Sequence, residues 1–219
     1  MNSDAAKSTR PKPPLATTLW LIRHAEVDEK YRNVFGGRID MGLSPAGHEQ
    51  AAALASYLHG RRFDAVYASP MKRVQQTLAA CQGNGLPAPV VLTDLREVDF
   101  GDWTGLSWEQ VELQFGISPL TWLDQLECEG IKNAECAPAL RARLEPAIRQ
   151  VLASHQGQEV ALFCHGGVIR MLLAILLEWP LSKFAAVEID YASVTQVMAG
   201  KDRSRVQLLN FSPWRDLVS

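Results

Sequence analysis

Apolar residues along the chain form two patterns, short continuous runs and runs with helical spacing. The continuous runs, typical of buried strands, occupy residues 18–22, 64–68, 89–93 and 160–164. The first clear helical pattern has apolar residues three and four positions apart, at Ala51, Leu54, Ala55 and Leu58. Ser44 and Pro45 precede it as a typical cap and first helical residue. Strands and helices are therefore expected to alternate.

The same patterns continue to the end of the chain. Ser69-Pro70 repeats the cap-plus-proline signal and predicts a second helix directly after the second strand. Longer helical patterns cover residues 140–152 and 168–178, and two further strands are expected at Val187–Met198 and Val206–Phe211. Alternating strands and helices favour an α/β fold in three layers, α/β/α, with a mixed but mainly parallel sheet.

The chain length favours one domain. Its 219 residues are enough for one substantial α/β domain or two small ones, and we expect one. We expect residues 1–17, which contain three prolines, to be a flexible amino-terminal arm. Residues 18–219 then form the domain, with a helical insertion around 106–133. The long polar loop 27–43 is of a kind that is often functional in compact domains.

Charge and composition exclude several classes of function. The formal net charge is −2, so a general attraction to nucleic acid or anionic lipid is not expected. The apolar helix near 168–177 is too short to span a bilayer. The four cysteines lack metal-site spacing, and the first residues lack the apolar core of a secretory signal. The sequence thus predicts a cytoplasmic protein with no nucleic-acid or membrane partner, no metal and no cofactor.

Residues that could bind a ligand or take part in catalysis follow the predicted strands. They are Arg23, His24, Arg73, Glu97 and His165. Because open α/β sheets bind ligands beyond the carboxyl ends of their strands, we expect all five at one edge. Arginine presents a planar set of donors that matches phosphate oxygens, and Gly166 after the second histidine opens a helix whose free N–H groups favour an anion. The predicted ligand is a phosphoryl group.

The chemistry expected of this set is phosphoryl transfer. A neutral imidazole at His24 can attack phosphorus as a covalent nucleophile. Glu97 can protonate the leaving oxygen and later activate a water molecule. Arg23, Arg73 and His165 would supply the positive charge that a metal ion supplies elsewhere.

Several ordered motifs resemble the histidine phosphatase superfamily, the phosphoglycerate-mutase-like proteins, from Thr18 to about Phe211. The chain has Arg23-His24-Ala25 where the family has Arg-His-Gly. The later motifs that match in order are Gly37-Arg38-Ile39-Asp40, Leu43-Ser44-Pro45-Ala46-Gly47, Ser69-Pro70-Met71-Lys72-Arg73, Leu95 through Gly105, and His165-Gly166-Gly167. The resemblance implies a phosphoglycerate-mutase-like fold. It also implies that His24 is phosphorylated, that Arg23, Arg73, His165 and Gly166 bind the phosphoryl group, and that Glu97 handles the proton.

The resemblance leaves alternatives open. The stretch Glu97-Val98-Asp99-Phe100-Gly101-Asp102-Trp103 is similar to the phosphatase branch, which implies a phosphatase acting on a small phosphorylated metabolite. A phosphoglycerate mutase, an α-ribazole-phosphate phosphatase and a non-enzymatic phospholigand-binding scaffold are the alternatives. Trp103, Trp108 and Trp122 either line a substrate pocket or pack in the core, with at least two expected to pack. The sequence determines neither the physiological phosphoester nor the oligomeric state.

Overall fold

The computed structural model describes residues 16–83, 85–201 and 203–217. Its strands are β1 (Thr17–Arg23), β2 (Ala65–Ala68), β3 (Val90–Val91), β4 (Glu159–Cys164), β5 (Val194–Ala199) and β6 (Ser204–Phe211). Its α-helices are α1 (Pro45–Leu58), α2 (Lys72–Cys81), α3 (Trp108–Phe115), α4 (Trp122–Glu127), α5 (Ala137–Ser154), α6 (Gly166–Leu177) and α7 (Pro213–Asp216). Short 3-10 turns lie in the connections, and α3 and α4 fall within the predicted insertion.

The strands form one six-stranded sheet in the order β3-β2-β4-β1-β5-β6. Strands β1 to β4 pair in parallel, whereas β5 runs antiparallel to both β1 and β6. Side chains of β4 alternate between the two faces: Leu162 packs in one core cluster and Phe163 in the other. Helices α5 and α6 cover the first face, and α1 and α2 cover the second. The predicted three-layer fold with a mixed, mainly parallel sheet is confirmed.

Strand register determines which residues meet at the carboxyl edge. Arg23 at the end of β1 lies opposite Cys164 at the end of β4. The residues that follow, His24 and His165, therefore leave the sheet side by side. Because β5 is antiparallel and begins opposite Ile22, the loop before β5 reaches the same edge.

Several sequence predictions differ from the structure. The third strand, predicted as a buried run at 89–93, is limited to Val90–Val91, and both residues are about half exposed. Helix α2 begins at Lys72 rather than after Ser69, because the amide of Lys72 is capped by Asp40 Oδ1 at 2.8 Å. The strand predicted at Val187–Met198 begins only at Val194. Thr17, assigned to the arm, is the first residue of β1, and the rest of the predicted arm up to residue 15 lies outside the described residues.

Backbone bonds join the long loop 27–43 to the helical insertion. Val34 forms an isolated bridge with Ser107, and the amide of Trp108 donates to the carbonyl of Asn33 at 2.9 Å. Phe35 also accepts from the amide of Gly105 at 3.0 Å and packs its ring 5.0 Å from that of Phe100. The loop and the insertion are thus one layer above the carboxyl edge of the sheet.

The helices of the described part of the chain include none with the length and apolarity needed to cross a membrane. Helix α6, the most apolar, has 12 residues and packs within the protein core.

Candidate functional site

A cavity of about 450 Å³ opens at the carboxyl edge of the sheet, beneath the layer formed by the loop and the insertion. Its floor contains the predicted residues Arg23, His24, Arg73, Glu97 and Gly166. His165 lies directly behind this floor, with its ring centre 5.2 Å from that of His24. The structure therefore brings all the sequence-predicted residues to one place.

His24 is held in a defined tautomer. Its ring is only 4% exposed, and its Nδ1 lies 2.8 Å from the carbonyl oxygen of Ala25. Because a carbonyl can only accept, Nδ1 carries the proton. Nε2 then keeps its lone pair, and in this structure it accepts a 3.1 Å hydrogen bond from Arg73 Nε. The free electron pair required of a nucleophile is thus on the nitrogen that faces the other site residues.

His165 has the opposite tautomer. Arg73 Nε also donates to its Nδ1 at 3.2 Å, so Nδ1 is the acceptor. The proton is then on Nε2, which donates to Ser69 Oγ at 2.9 Å. Ser69, predicted to cap α2, instead orients this ring.

Both imidazoles are kept neutral by their surroundings. Burial, followed by the charges of Arg73 and Arg23, lowers the pKa of His24 well below its ordinary value. Burial and the charge of Arg73 are also the main causes of the lowered pKa of His165. At neutral pH neither ring carries a proton that would block its lone pair.

Arg73 is fixed by the loop that covers it. Its two terminal nitrogens donate to the carbonyls of Gly37 and Ile39, both at 2.9 Å, and its side chain is buried. Burial lowers the pKa of Arg73 to about 10, which leaves the guanidinium charged at neutral pH. The Nε–H bond therefore points between the two imidazoles as a fixed positive donor.

Arg23 is held on the other side by the loop before β5. Its Nη1 donates to the carbonyl of Ile189 at 2.5 Å, and its guanidinium lies 4.0 Å from the ring centre of Tyr191. Its Nε is buried and has no partner among the described residues. An unpaired buried N–H at this position is suited to an anionic oxygen atom.

Glu97 lines the same cavity and is positioned by backbone amides. Its two carboxylate oxygens accept from Val98 N at 3.0 Å and from Gly167 N at 3.3 Å. A Cβ atom on Gly167 would lie 2.6 Å from Glu97 Oε1, so this carboxylate can approach helix α6 only because residue 167 is glycine. The second glycine of the motif His165-Gly166-Gly167 thus gives the Glu97 carboxylate the room it occupies.

Sequence reasoning missed Arg170 and Tyr191. Arg170 lies one turn after Gly166 on α6, and its guanidinium donates to the carbonyls of Gly166, Phe184 and Val187. The position of Arg170 four residues after Gly166 was a usable signal, because such residues share a helix face. Tyr191 lies within the stretch predicted as strand, so its role depended on an irregular backbone that the alternation did not indicate.

The tryptophans divide between core and cavity. Trp103 is buried, whereas Trp108 and Trp122 line the cavity, and Trp108 is 42% exposed. Trp122 also packs against the core cluster that contains Trp103, with its ring centre 5.5 Å from that of Phe100. The prediction that at least two of the three tryptophans pack is therefore confirmed, and Trp108 is the one that mainly faces the cavity.

Comparison with known proteins identifies the family. A model described as the histidine phosphatase superfamily, branch 1, matches residues 19–212. The chain belongs to this family. The family assignment predicted from the motifs is confirmed, and so is the enzyme class: the protein is a histidine phosphatase family phosphomonoesterase.

Relatives cover nearly the whole domain but carry different names. A putative phosphoserine phosphatase 2 of Hydrogenobacter thermophilus is 27% identical over 88% of this chain and 94% of its own length. The adenosylcobalamin/alpha-ribazole phosphatase of Escherichia coli is 25% identical over 88% of this chain and 95% of its own. A mycobacterial glucosyl-3-phosphoglycerate phosphatase structure superimposes with a TM-score of 0.81 at 28% identity, covering 90% of this chain and all of that one.

Proposed function

We propose that this histidine phosphatase hydrolyses a small phosphomonoester through a phosphohistidine on His24, without a metal ion. The observation that carries the proposal is the tautomer of His24, whose Nδ1–H is bonded to the carbonyl of Ala25 and whose Nε2 keeps a lone pair that accepts from Arg73 Nε. The relatives named above all act on phosphate esters, and their organic parts differ.

The first step forms the phosphoenzyme. Nε2 of His24 attacks phosphorus, and the bond from phosphorus to the ester oxygen breaks. Glu97 donates a proton to that oxygen, which leaves as the alcohol. For the attack, the Nε–H of Arg73 must leave the lone pair of His24 and donate instead to an oxygen of the transferring group. The unpaired Nε–H of Arg23 offers a second donor to these oxygens.

The second step regenerates the enzyme. Glu97, now a carboxylate, removes a proton from water as the water oxygen attacks phosphorus, and the bond to His24 breaks. Inorganic phosphate then leaves and His24 is neutral again. The lowered pKa of His24 favours this return to the unprotonated ring.

The decisive experiment compares wild-type protein with His24→Ala. Wild-type protein should release phosphate in the presence of a chelator and form an acid-labile, base-stable phosphoenzyme. The variant should lose both, with a fall in kcat of at least about 1000-fold, as for removal of a covalent nucleophile. Full activity in His24→Ala would refute the mechanism.

The substrate requires a separate assay. Phosphate release should be profiled across phosphoserine, α-ribazole phosphate, glucosyl-3-phosphoglycerate, sugar phosphates and nucleotides. Conversion of 3-phosphoglycerate to 2-phosphoglycerate faster than phosphate release would show a mutase rather than a phosphatase.

A further inference from the structure

The outer part of the cavity is lined by apolar and aromatic side chains. Above the phosphoryl-binding floor, the lining contains Tyr31, Val34, Met41, Trp108, Leu120 and Trp122. Leu120 is 69% exposed and Trp108 is 42% exposed, so large apolar surfaces lie open at this mouth. Exposed apolar surface that borders a functional cavity indicates a ligand that covers it.

Trp122 is anchored through its ring, and Trp108 is anchored through its backbone. The rings of Trp122 and Phe100 pack in a T-shaped arrangement with their centres 5.5 Å apart, and the guanidinium of Arg170 lies 5.8 Å from the centre of the Trp122 ring. Trp108 begins α3 directly after the capping box of Ser107, and its amide is bonded to Asn33. Tryptophan rings have only two rotatable side-chain bonds, so they bind flat or bulky apolar groups with little loss of side-chain freedom.

The charges of the outer cavity do not favour an acidic ligand. In the described part of the chain, the lining has three cations, namely Arg23, Arg73 and Arg170. The first two face the phosphoryl position. All three guanidinium nitrogens of Arg170 already donate to backbone carbonyls. Glu188 also lines the cavity and is exposed, so a carboxylate next to the phosphate would face an acidic rim.

We propose that the preferred substrates are monoesters of uncharged alcohols that carry an aromatic or bulky apolar group, which binds against Trp108 and Trp122. This proposal rests on the phosphatase function proposed above and narrows it. Esters whose alcohol carries a carboxylate next to the phosphate are correspondingly poor substrates. The layer formed by the loop and the insertion selects the alcohol part of the ester, and the residues of the floor carry out phosphoryl transfer.

Phosphonates test the cavity without hydrolysis, because their carbon–phosphorus bond is not cleaved by this chemistry. Calorimetry should show that 2-naphthylmethylphosphonate binds the wild-type protein at least about tenfold more tightly than 3-phosphonopropanoate. Trp108→Ala should weaken binding of the naphthyl compound by about tenfold and leave the carboxylate compound nearly unchanged. Glu188→Gln should tighten binding of 3-phosphonopropanoate by about threefold, since it removes a nearby negative charge.

Matched controls separate the cavity from the rest of the surface. Trp179 is another exposed tryptophan, 55% accessible, that does not line the cavity, and Leu113 is exposed on the same helix as Trp108. Trp179→Ala and Leu113→Ala should leave both affinities unchanged.

Each result has a distinct meaning. Equal affinities for the two phosphonates, including no measurable binding of either, would overturn the proposal, and so would an unchanged affinity in Trp108→Ala. The proposed catalytic function is tested independently by the phosphoenzyme assay with His24→Ala. If the protein binds the naphthyl compound selectively but forms no phosphoenzyme, the proposed phosphatase mechanism is rejected and the preference of the cavity for aromatic ligands stands.

Discussion

Replacing Gly167 with alanine should slow catalysis strongly while lowering the free energy of unfolding only slightly. The new Cβ atom would lie 2.6 Å from Glu97 Oε1 and 2.8 Å from Val98 Cγ2, well inside van der Waals contact. The carboxylate must move by about 1 Å, and it would lose its bond from the amide of residue 167. Both neighbours are ends of side chains, so the free energy of unfolding should fall by only about 1–2 kcal/mol.

The catalytic effect of Gly167→Ala should depend on the leaving group. A displaced proton donor should slow formation of the phosphoenzyme about 100-fold for an alkyl phosphate. For 4-nitrophenyl phosphate the loss should be less than about fivefold, because the nitrophenolate leaves without a proton. Rapid-quench measurement of the first turnover gives this rate directly and is unaffected by the later hydrolysis step.

Gly166→Ala is the matched control. Its Cβ would lie nearest to Arg170 Nη1, at 3.3 Å, and to Arg23 Nε, at 3.5 Å, so its three nearest atoms all belong to arginines and not to Glu97. Any loss in this variant should be the same for both esters, because it concerns the phosphoryl group rather than the leaving oxygen. Equal losses for the two esters in Gly167→Ala would refute the role assigned to Glu97.

Three further predictions concern stability. Gly47→Ala would place a Cβ atom 2.0 Å from the carbonyl oxygen of Glu26, so the free energy of unfolding in urea should fall by about 3 kcal/mol; a loss under about 1 kcal/mol would contradict the contact. His24 and His165 have lowered pKa values in the folded protein, so the unfolded chain binds more protons once the pH falls below about 6.5. Thermal stability should therefore fall from that pH downward, and an equally steep fall in His165→Asn would be evidence against this cause. Ser107→Ala removes the capping box of α3 and should cost about 1 kcal/mol in urea denaturation, whereas an unchanged midpoint would show that the cap contributes nothing.

Sequence patterns predicted the regular elements because local rules determine them. Continuous apolar runs marked β1 and β4, and their parallel register was enough to bring His24 and His165 together. The predicted start of α2 was wrong because Asp40, which is distant in sequence, accepts from the first amide of the helix in the place of Ser69. The Ser69 hydroxyl accepts instead from the amide of Met71, at 3.4 Å, and from His165 Nε2.

The rest of the site depends on backbone that has no periodic signal. The alternation in 187–193 was read as strand, but this segment is a loop that holds Arg23 through the carbonyl of Ile189 and the ring of Tyr191. Likewise, composition could not show that Trp108 faces the cavity while Trp103 is buried, because the same residue type stands at both positions. Tertiary contacts decided these positions.

The bonds between the loop 27–43 and the helical insertion have a consequence for altering substrate range. Val34 pairs with Ser107, and the carbonyl of Asn33 accepts from the amide of Trp108. The backbone position of each segment over the cavity therefore depends on the other segment. If the loop 27–43 alone were replaced by that of a relative, it would have to form its backbone hydrogen bonds with an insertion that evolved with a different loop. Exchange of substrate preference between members of this family should therefore require that both segments be moved together, as a single cassette joined through Phe35 and Gly105.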